Sequence, residues 1–414
     1  MIDIDARTME MVWGKDCDKK ACMSRIENVR SGFERQFGCQ PKELFSTSGR
    51  TELAGNHTDH NRGLVIAATV TLDTLAAVKK NDDMVVRLIS EGFAPSYVDL
   101  TEGLEPKEAE IGTSMALVRG VAKALKEKGC RLQGFDAYTQ SIVPKASGMS
   151  SSACIEVLCG TVFDESQSPL ALAQAGQYAE NVHYGKPCGL MDQMACAYGG
   201  IISIDFKDPL NPIARRVEYD FGSRGYDLVI VNTGGSHADL TSDYAAIPAE
   251  MKALAAFYGK KSLRDVEPEE LYSSISLARK AMGNDRCILR AIHFFQENDR
   301  VRAMSRAIEE DDIASYLRLM KESGHSSFEY LQNIYSPSDS RQQGISLGLA
   351  LAQRFLGSDG AYRVQGGGFA GTFQAMVPKS RTEAYVRLME GVFGQGSCIN
   401  ASIRQMPTAK IAFF

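Results

Sequence analysis

Apolar residues recur along this chain with two different periods, and the switch from one to the other marks out its elements. Over Asp16–Phe37 the apolar positions Met23, Ile26, Val29, Phe33 and Phe37 fall on one helical face and predict an N-terminal helix. Leu64–Val78 and Met84–Ser90 carry the β-branched, alternating pattern of strands, separated by the turn KKNDD at Lys79–Asp83. Thr113–Lys128 predicts an amphipathic helix ended by Gly129, and Gly134–Val143 a further strand. Helices are predicted over Cys154–Phe163 and Leu170–Tyr184, then short strands over Ile201–Asp205 and Tyr226–Asn232. Residues 206–225 lie between those strands and are rich in Pro, Gly and charge, which makes them the best linker candidate. Beyond them Pro248–Phe257, Pro268–Met282 and Asp311–Ser323 predict helices, the first two opening on a proline suited to a first turn. Asp359–Pro378 reads as strand, glycine loop, strand. No internal repeat or low-complexity tract interrupts this order.

Composition narrows the class of protein. A chain of 414 residues exceeds the usual size of a single core, so two domains are expected, divided at the linker into 1–220 and 221–414. With 44% hydrophobic and 23% charged residues it is an ordinary well-packed globular chain. A net charge of −5 offers no basic excess for a polyanion, which argues against a nucleic-acid partner. No apolar run is long enough to cross a bilayer, and the first residues carry neither a signal-peptide core nor an Arg-rich transit pattern. The ten cysteines form no C-x-x-C pair and the six histidines no H-x-x-x-H pair, so reduced thiols and a cytoplasmic protein without a metal cluster are expected.

Three polar, glycine-bearing stretches sit between apolar segments, at Ser48–Gly63, Pro144–Ala153 and Gln365–Gly371. The middle one, PKASGMSSSA, joins a predicted strand to a predicted helix. Small side chains there let backbone N–H groups approach an anion, and a helix N-terminus adds unpaired donors and a favourable dipole. Three successive serines offer hydroxyls to phosphate oxygens or to Mg²⁺, or simply cap the helix. The stretch is not a Walker A loop, because no G-x-x-x-x-G-K-[ST] occurs in the chain.

Taken together and in order, the three stretches resemble the motifs of the GHMP small-molecule kinases, most closely those of the galactokinase family. That family's opening signature, roughly G-R-V-N-L-I-G-E-H-T-D-Y-N-x-G, stands here as GRTELAGNHTDHNRG at Gly49–Gly63. The second motif, P-x-x-x-G-L-S-S-S-A, is Pro144–Ala153 with Met149 for Leu, and the third, G-G-G-F-G-G, is Gly366–Gly371 with Ala370 for one glycine. AENVHYGKPCGLMDQ at Ala179–Gln193 matches a fourth stretch, and HADLTSDY, GKKSLRDV and RAIHFFQENDRV have counterparts further on. The resemblance implies an α+β, two-domain fold, with a ribosomal S5-like N-terminal domain, a ferredoxin-like C-terminal domain and the active site in the cleft between them. It implies an ATP:sugar 1-phosphotransferase with ATP and Mg²⁺, acting as a monomer or homodimer.

Residue by residue, the resemblance assigns the ATP phosphates to Ser147, Gly148, Met149, Ser150, Ser151, Ser152 and Ala153, and the metal to Ser152 and Glu180. Asp192 takes or orients the proton of the sugar's anomeric hydroxyl, and Arg50 beside it holds the carboxylate ionised and stabilises charge on the transferring phosphoryl group. The sugar falls to Asn56, His57, Asp59, Gly189 and Tyr244. Here the chain departs from its relatives: the Glu of G-E-H is Asn56, the following Tyr is His60, and the basic residue of N-S-N-V-[RK]-H is Ser236. SPSDSRQQ at Ser336–Gln343 replaces a Pro-Glu-Leu-Asp-like stretch. In galactokinases that Glu is thought to face the C6 end of the sugar, so an amide there leaves two substrates open. One is galactose; the other is galacturonate or another modified hexose, as in plant galacturonokinases, whose site this one resembles. A third reading, from another class, is a sugar- and ATP-binding sensor of weak catalytic power; the presence of Arg50, Glu180 and Asp192 argues against it.

Overall fold

The computed structural model describes residues 4–144, 148–235 and 240–414. Its described strands run β1 (Glu43–Ala54), β2 (Leu64–Lys80), β3 (Val85–Ser90), β4 (Ser96–Asp99), β5 (Phe135–Ser141), β6 (Ile201–Asp205), β7 (Ile213–Val217), β8 (Tyr226–Asn232), β9 (Ala361–Val364), β10 (Thr372–Pro378), β11 (Cys398–Ala401) and β12 (Ala409–Phe413). They form a mixed sheet ordered β12-β1-β2-β5-β3-β4, with β6 on β2 and β7 on β6, and a smaller antiparallel sheet ordered β11-β8-β10-β9. The long β2 organises the larger sheet. Its first residues, Leu64–Ala68, pair with β6, and its last, Thr74–Lys80, pair with β5. Its other edge pairs with β1 from Glu43 to Ala54.

The expected helix near residue 16 starts at Lys19, where the Asp18 carboxylate accepts from the N–H groups of Lys20 and Ala21. Thr113 caps the helix Ser114–Glu127 in the same way, and Gly38 and Gly129 close their segments in the left-handed region. The proline at 248 does not open a helix. It lies inside the helix Thr241–Phe257, whose first turns Ser242, Asp243 and Tyr244 also make. Having no N–H, Pro248 cannot bond the carbonyl of Tyr244 four residues back. The linker candidate holds β7, an exposed edge strand that alternates Ile213, Arg215 and Val217 against β6. The 25-residue helix Asp285–Glu309, the helices Gly344–Leu356 and Thr382–Phe393 and the C-terminal strands carry no expectation from the sequence.

The buried apolar residues form several clusters, one of which joins the two halves of the chain. One cluster takes Leu53, Val65 and Met194 from the first 220 residues and Ile230, Val301, Met304 and Met376 from the rest, and β12, at the far C-terminus, returns to pair with β1. No described helix is long and apolar enough to cross a membrane.

Candidate active site

A cavity of about 280 Å³ opens where β1, the turn before the helix Ser151–Phe163, the segment Lys186–Asp192 and the glycine loop 366–368 meet. Arg50 enters it from β1, one strand residue past the glycine that packs on Met149. Its guanidinium grips Asp192 with two parallel bonds, Nε to Oδ1 and Nη2 to Oδ2, both 2.7 Å long. Nη1 reaches the Gly148 carbonyl, so one arginine ties the strand, the turn and the first turn of the helix Met191–Tyr198 together. Ser150 donates its hydroxyl to the same Asp192 oxygen. Burial works against the charge on Asp192, but Arg50 and then Ser150 outweigh it and hold the carboxyl below the usual carboxylate range. Arg50 is buried, yet Asp192 keeps it firmly protonated.

The turn has the shape an anion needs. Gly148 and Ser150 both adopt left-handed backbone angles, at φ 66° and 61°, which turns the chain sharply into the helix that starts at Ser151. Ser150 does not cap that helix, since its hydroxyl is given to Asp192. Gly148, Met149, Ser150, Ser151 and Ser152 all line the cavity; the Ala153 side chain does not, being wholly buried in the core. Ser147 lies outside the described residues.

Glu180 faces the turn from a π-helical segment, Ala179–Tyr184, that follows the helix Pro169–Tyr178. Its Oε1 accepts from Ser152 Oγ at 3.1 Å and from Lys186 Nζ at 3.3 Å, and its Oε2 accepts from Gln193 at 3.0 Å. The same Gln193 amide donates to Glu156, a buried carboxyl that burial and then Glu180 push well above its usual range. Lys186 lines the cavity and is a residue that sequence reasoning missed. Its burial is outweighed by Glu180 and Asp192, which keep it protonated. A cation in the loop GKPCG was the available signal.

His57, Asp59, His60, Gly189 and Tyr244 also line the cavity. His57 shares a hydrogen bond of 3.0 Å with the Gly367 carbonyl, and burial drops its pKa to about 3, so it is neutral. His60 and the Tyr244 hydroxyl share one of 2.9 Å, and burial raises Tyr244 well above its usual value, so the phenol keeps its proton. Asp59 fixes one oxygen on the His60 N–H at 3.0 Å and lays the other against Gly189, where any Cβ would stand 1.8 Å from it. The third glycine motif serves close packing: a Cβ on Gly367 would meet the Tyr244 ring at 2.7 Å.

Asn56, expected at the sugar, does not line the cavity. It is wholly buried, and both ends of its amide are taken. Nδ2 donates to Glu52 at 3.0 Å and to the Gly366 carbonyl at 2.7 Å; Oδ1 accepts from Asn333 at 2.8 Å and Ser327 at 3.3 Å. Of the bonded pair Asn56 and Glu52 it is Glu52, two residues past Arg50 on β1, that lines the cavity.

The sequence model described as "GHMP kinases N terminal domain" matches residues 116–200, and the one described as "Galactokinase galactose-binding signature" matches residues 31–80. The chain is 30% identical over 374 residues to a galactokinase of Streptomyces coelicolor, covering 88% of this chain and 92% of that one. It is 32% identical over 366 residues to a galactokinase of Actinobacillus pleuropneumoniae serotype 5b, covering 86% and 91%. The crystal structure of Lactococcus lactis galactokinase complexed with galactose superposes with a TM-score of 0.81 at 28% identity, over 93% of this chain and 100% of that one. The Methanococcus jannaschii mevalonate kinase, at 14% identity and a TM-score of 0.61 over 87% and 98%, shares the fold. With identity sustained along most of both chains, and with Arg50, Ser150, Glu180 and Asp192 inside the matched segments, this chain belongs to the galactokinase family of the GHMP kinases.

Proposed function

We propose that the protein transfers the γ-phosphoryl group of ATP to the anomeric hydroxyl of a hexose, with galactose as the substrate. The observation that carries this reading is the two-bond grip of Arg50 on Asp192, made in the cavity that the Gly148–Ser152 turn also lines. Residues 1–220 and 221–414 are taken as the two domains; the first supplies Arg50, Ser150, Glu180 and Asp192 to that cavity, the second Tyr244 and the glycine loop.

Phosphoryl transfer asks the protein mainly for position and charge. The backbone N–H groups of the turn and helix start, with the hydroxyls of Ser151 and Ser152, hold the phosphates, and Lys186 adds a cation. Asp192 receives the anomeric O–H as a hydrogen-bond donor. Held ionised by Arg50, it is a weak base, so it aims the hydroxyl first and accepts its proton as that oxygen bonds to phosphorus and loses basicity. The Arg50 guanidinium, already bound to Asp192, then offsets the charge that this transfer leaves nearby.

The donor set next to the turn suits Mg²⁺. Ser152 Oγ and Glu180 Oε1 are hard oxygen ligands 3.1 Å apart, and a magnesium ion takes one or two such ligands with phosphate oxygens and water. Ser152 and Glu180 are the residues that would hold it. When bound, the ion neutralises phosphate charge.

The test is ADP release over a panel of hexoses, amino-hexoses and uronic acids. Release that depends on galactose supports the reading; saturable galactose binding with no ADP formed overturns it in favour of a sensor. Gly189→Ala serves as a check on the sugar wall. Crowding Asp59 by one methyl is expected to raise the galactose KM about tenfold to a hundredfold, the equivalent of a 1–3 kcal/mol overpacking cost. The KM for ATP should stay close to that of the unmodified protein, and equal rises in both would remove Asp59 from sugar binding.

A further inference from the structure

The cavity has a second charged end, and the sugar wall described above does not account for it. Arg50 and Glu52 both line the cavity, whereas Thr51 between them turns the other way and donates to Gln374 at 2.6 Å, with the Gln365 side chain 3.0 Å away. Residues two apart on a strand share a face about 6.5–7 Å apart. That step is comparable with the span of a hexopyranose ring. A sugar whose anomeric hydroxyl meets Asp192, gripped by Arg50, therefore turns its far substituents toward Glu52.

Glu52 is built to meet them. Its Oε1 accepts from Arg363 Nη2 at 2.5 Å and from Asn56 Nδ2 at 3.0 Å. Among the described residues its Oε2 has only a 3.4 Å contact with the same Asn56 nitrogen, although a carboxylate oxygen has two lone pairs to fill. Arg363, on β9, and Asn56 are both fully buried and off the cavity wall, so they fix Glu52 from behind without competing for its open side. Burial pushes the Glu52 carboxyl above its usual range, and direct contact with Arg363 pulls against that shift. In the signature quoted earlier, positions 52 and 56 read Asn and Glu; in this chain they read Glu and Asn, and the two side chains are bonded to each other.

We propose that Glu52 is the specificity-determining residue at the end of the cavity away from Asp192, accepting a hydroxyl of a neutral hexose and rejecting a carboxylate at that position. The inference rests on the kinase reading above and chooses within it: neutral hexoses are substrates and uronic acids are not. Replacing Asn for Glu at position 56 therefore does not open the site to a uronate, because the anion stands at position 52 instead.

Two measurements decide it. In Glu52→Gln the amide presents a donor where the acceptor was, and Arg363 is left without a counter-charge. Its galactose kcat/KM should fall about tenfold to a hundredfold, chiefly through KM, the loss expected of a hydrogen bond to a charged group. Galacturonate turnover should rise at the same time, so the galactose-to-galacturonate ratio shifts by about a hundredfold or more. A purely structural Glu52 would lower both activities together, and an unchanged ratio overturns the proposal. The unmodified protein gives the second measurement whether or not the variant folds. Galacturonate should neither turn over nor compete with galactose at concentrations where galactose saturates, and turnover or competition of similar strength overturns the proposal. Turnover of galactose and galacturonate alike sinks this inference and leaves the kinase reading standing; no turnover of any neutral hexose sinks both.

Discussion

Asp192→Asn is expected to lower kcat about a hundredfold to ten-thousandfold, the range a positioned proton acceptor supplies, or about 3–5 kcal/mol of barrier. Asparagine preserves the shape of Asp192 and can still accept from Arg50, but it cannot take a proton. The loss should fall on the chemical step, with the KM for ATP close to that of the unmodified protein, because Ser151 and Ser152 of the turn do not depend on Asp192. Among the described residues only Ser150 and Arg50 bond to it. Single-turnover phosphoryl transfer with pre-bound ATP separates the step from product release. A fall of less than about tenfold would leave Asp192 as a tether for Arg50 and not a proton acceptor. The pH dependence follows from the same contacts. Arg50 and Ser150 depress the Asp192 carboxyl, so its ionised form persists as pH falls through the usual carboxylate range, and the acid limb of kcat should lie below that range. Arg50→Gln removes the depressing charge and leaves burial, which acts the other way. Its acid limb should therefore move to higher pH.

Much of this arrangement is readable from the chain because local rules govern it. The strand-to-helix turn at Gly148–Ser152 follows from glycine and serine placed between two periodic segments, and Arg50 and Asp192 come from ordered motifs. What escaped is the part decided over long range. The strand period could have been continued from Arg50 to Glu52, which puts both on one face. It fails at Asn56, which follows Gly55, a residue at φ 95° after the strand has ended. Beyond that point the direction of a side chain is set by Asn333 and Ser327, more than 270 residues away. The helix Asp285–Glu309 was missed for a related reason. Its buried faces include Arg290, His293, Glu297 and Asn298, so no clean apolar stripe marks it. These polar residues are partnered from other elements: His293 shares a bond with the Asn56 carbonyl at 3.0 Å, and Glu297 accepts from the Gly55 N–H at 3.1 Å. The loop that carries His57 and Asp59 is thus anchored from behind by a polar layer that periodicity cannot reveal.

Behind the same loop Arg363 is a position where stability is exposed. Arg363→Met removes the cation from a fully buried pair and leaves Glu52 with only an asparagine amide, and breaking such a pair from one side costs about 3–5 kcal/mol. Part of the penalty is offset, because Nε and Nη1 of Arg363 have no partner among the described residues and their removal relieves two buried donors. The sign of the pH dependence identifies the cause. Burial already holds the Glu52 carboxyl above its unfolded value, and without Arg363 it rises further. Below the unfolded pKa the group is protonated in both states and costs nothing. As pH rises through the folded value, the unfolded chain ionises first and the native state loses stability. Urea midpoints of Arg363→Met should therefore fall further behind those of the unmodified protein at pH 8 than at pH 5. Glu52→Leu combined with Arg363→Met should recover most of the loss at pH 8, since neither charge is then stranded. An equal loss at both pH values, or a double variant no better than the single one, would mean that Arg363 supports the fold by packing alone and does not hold Glu52 as an anion for the sugar.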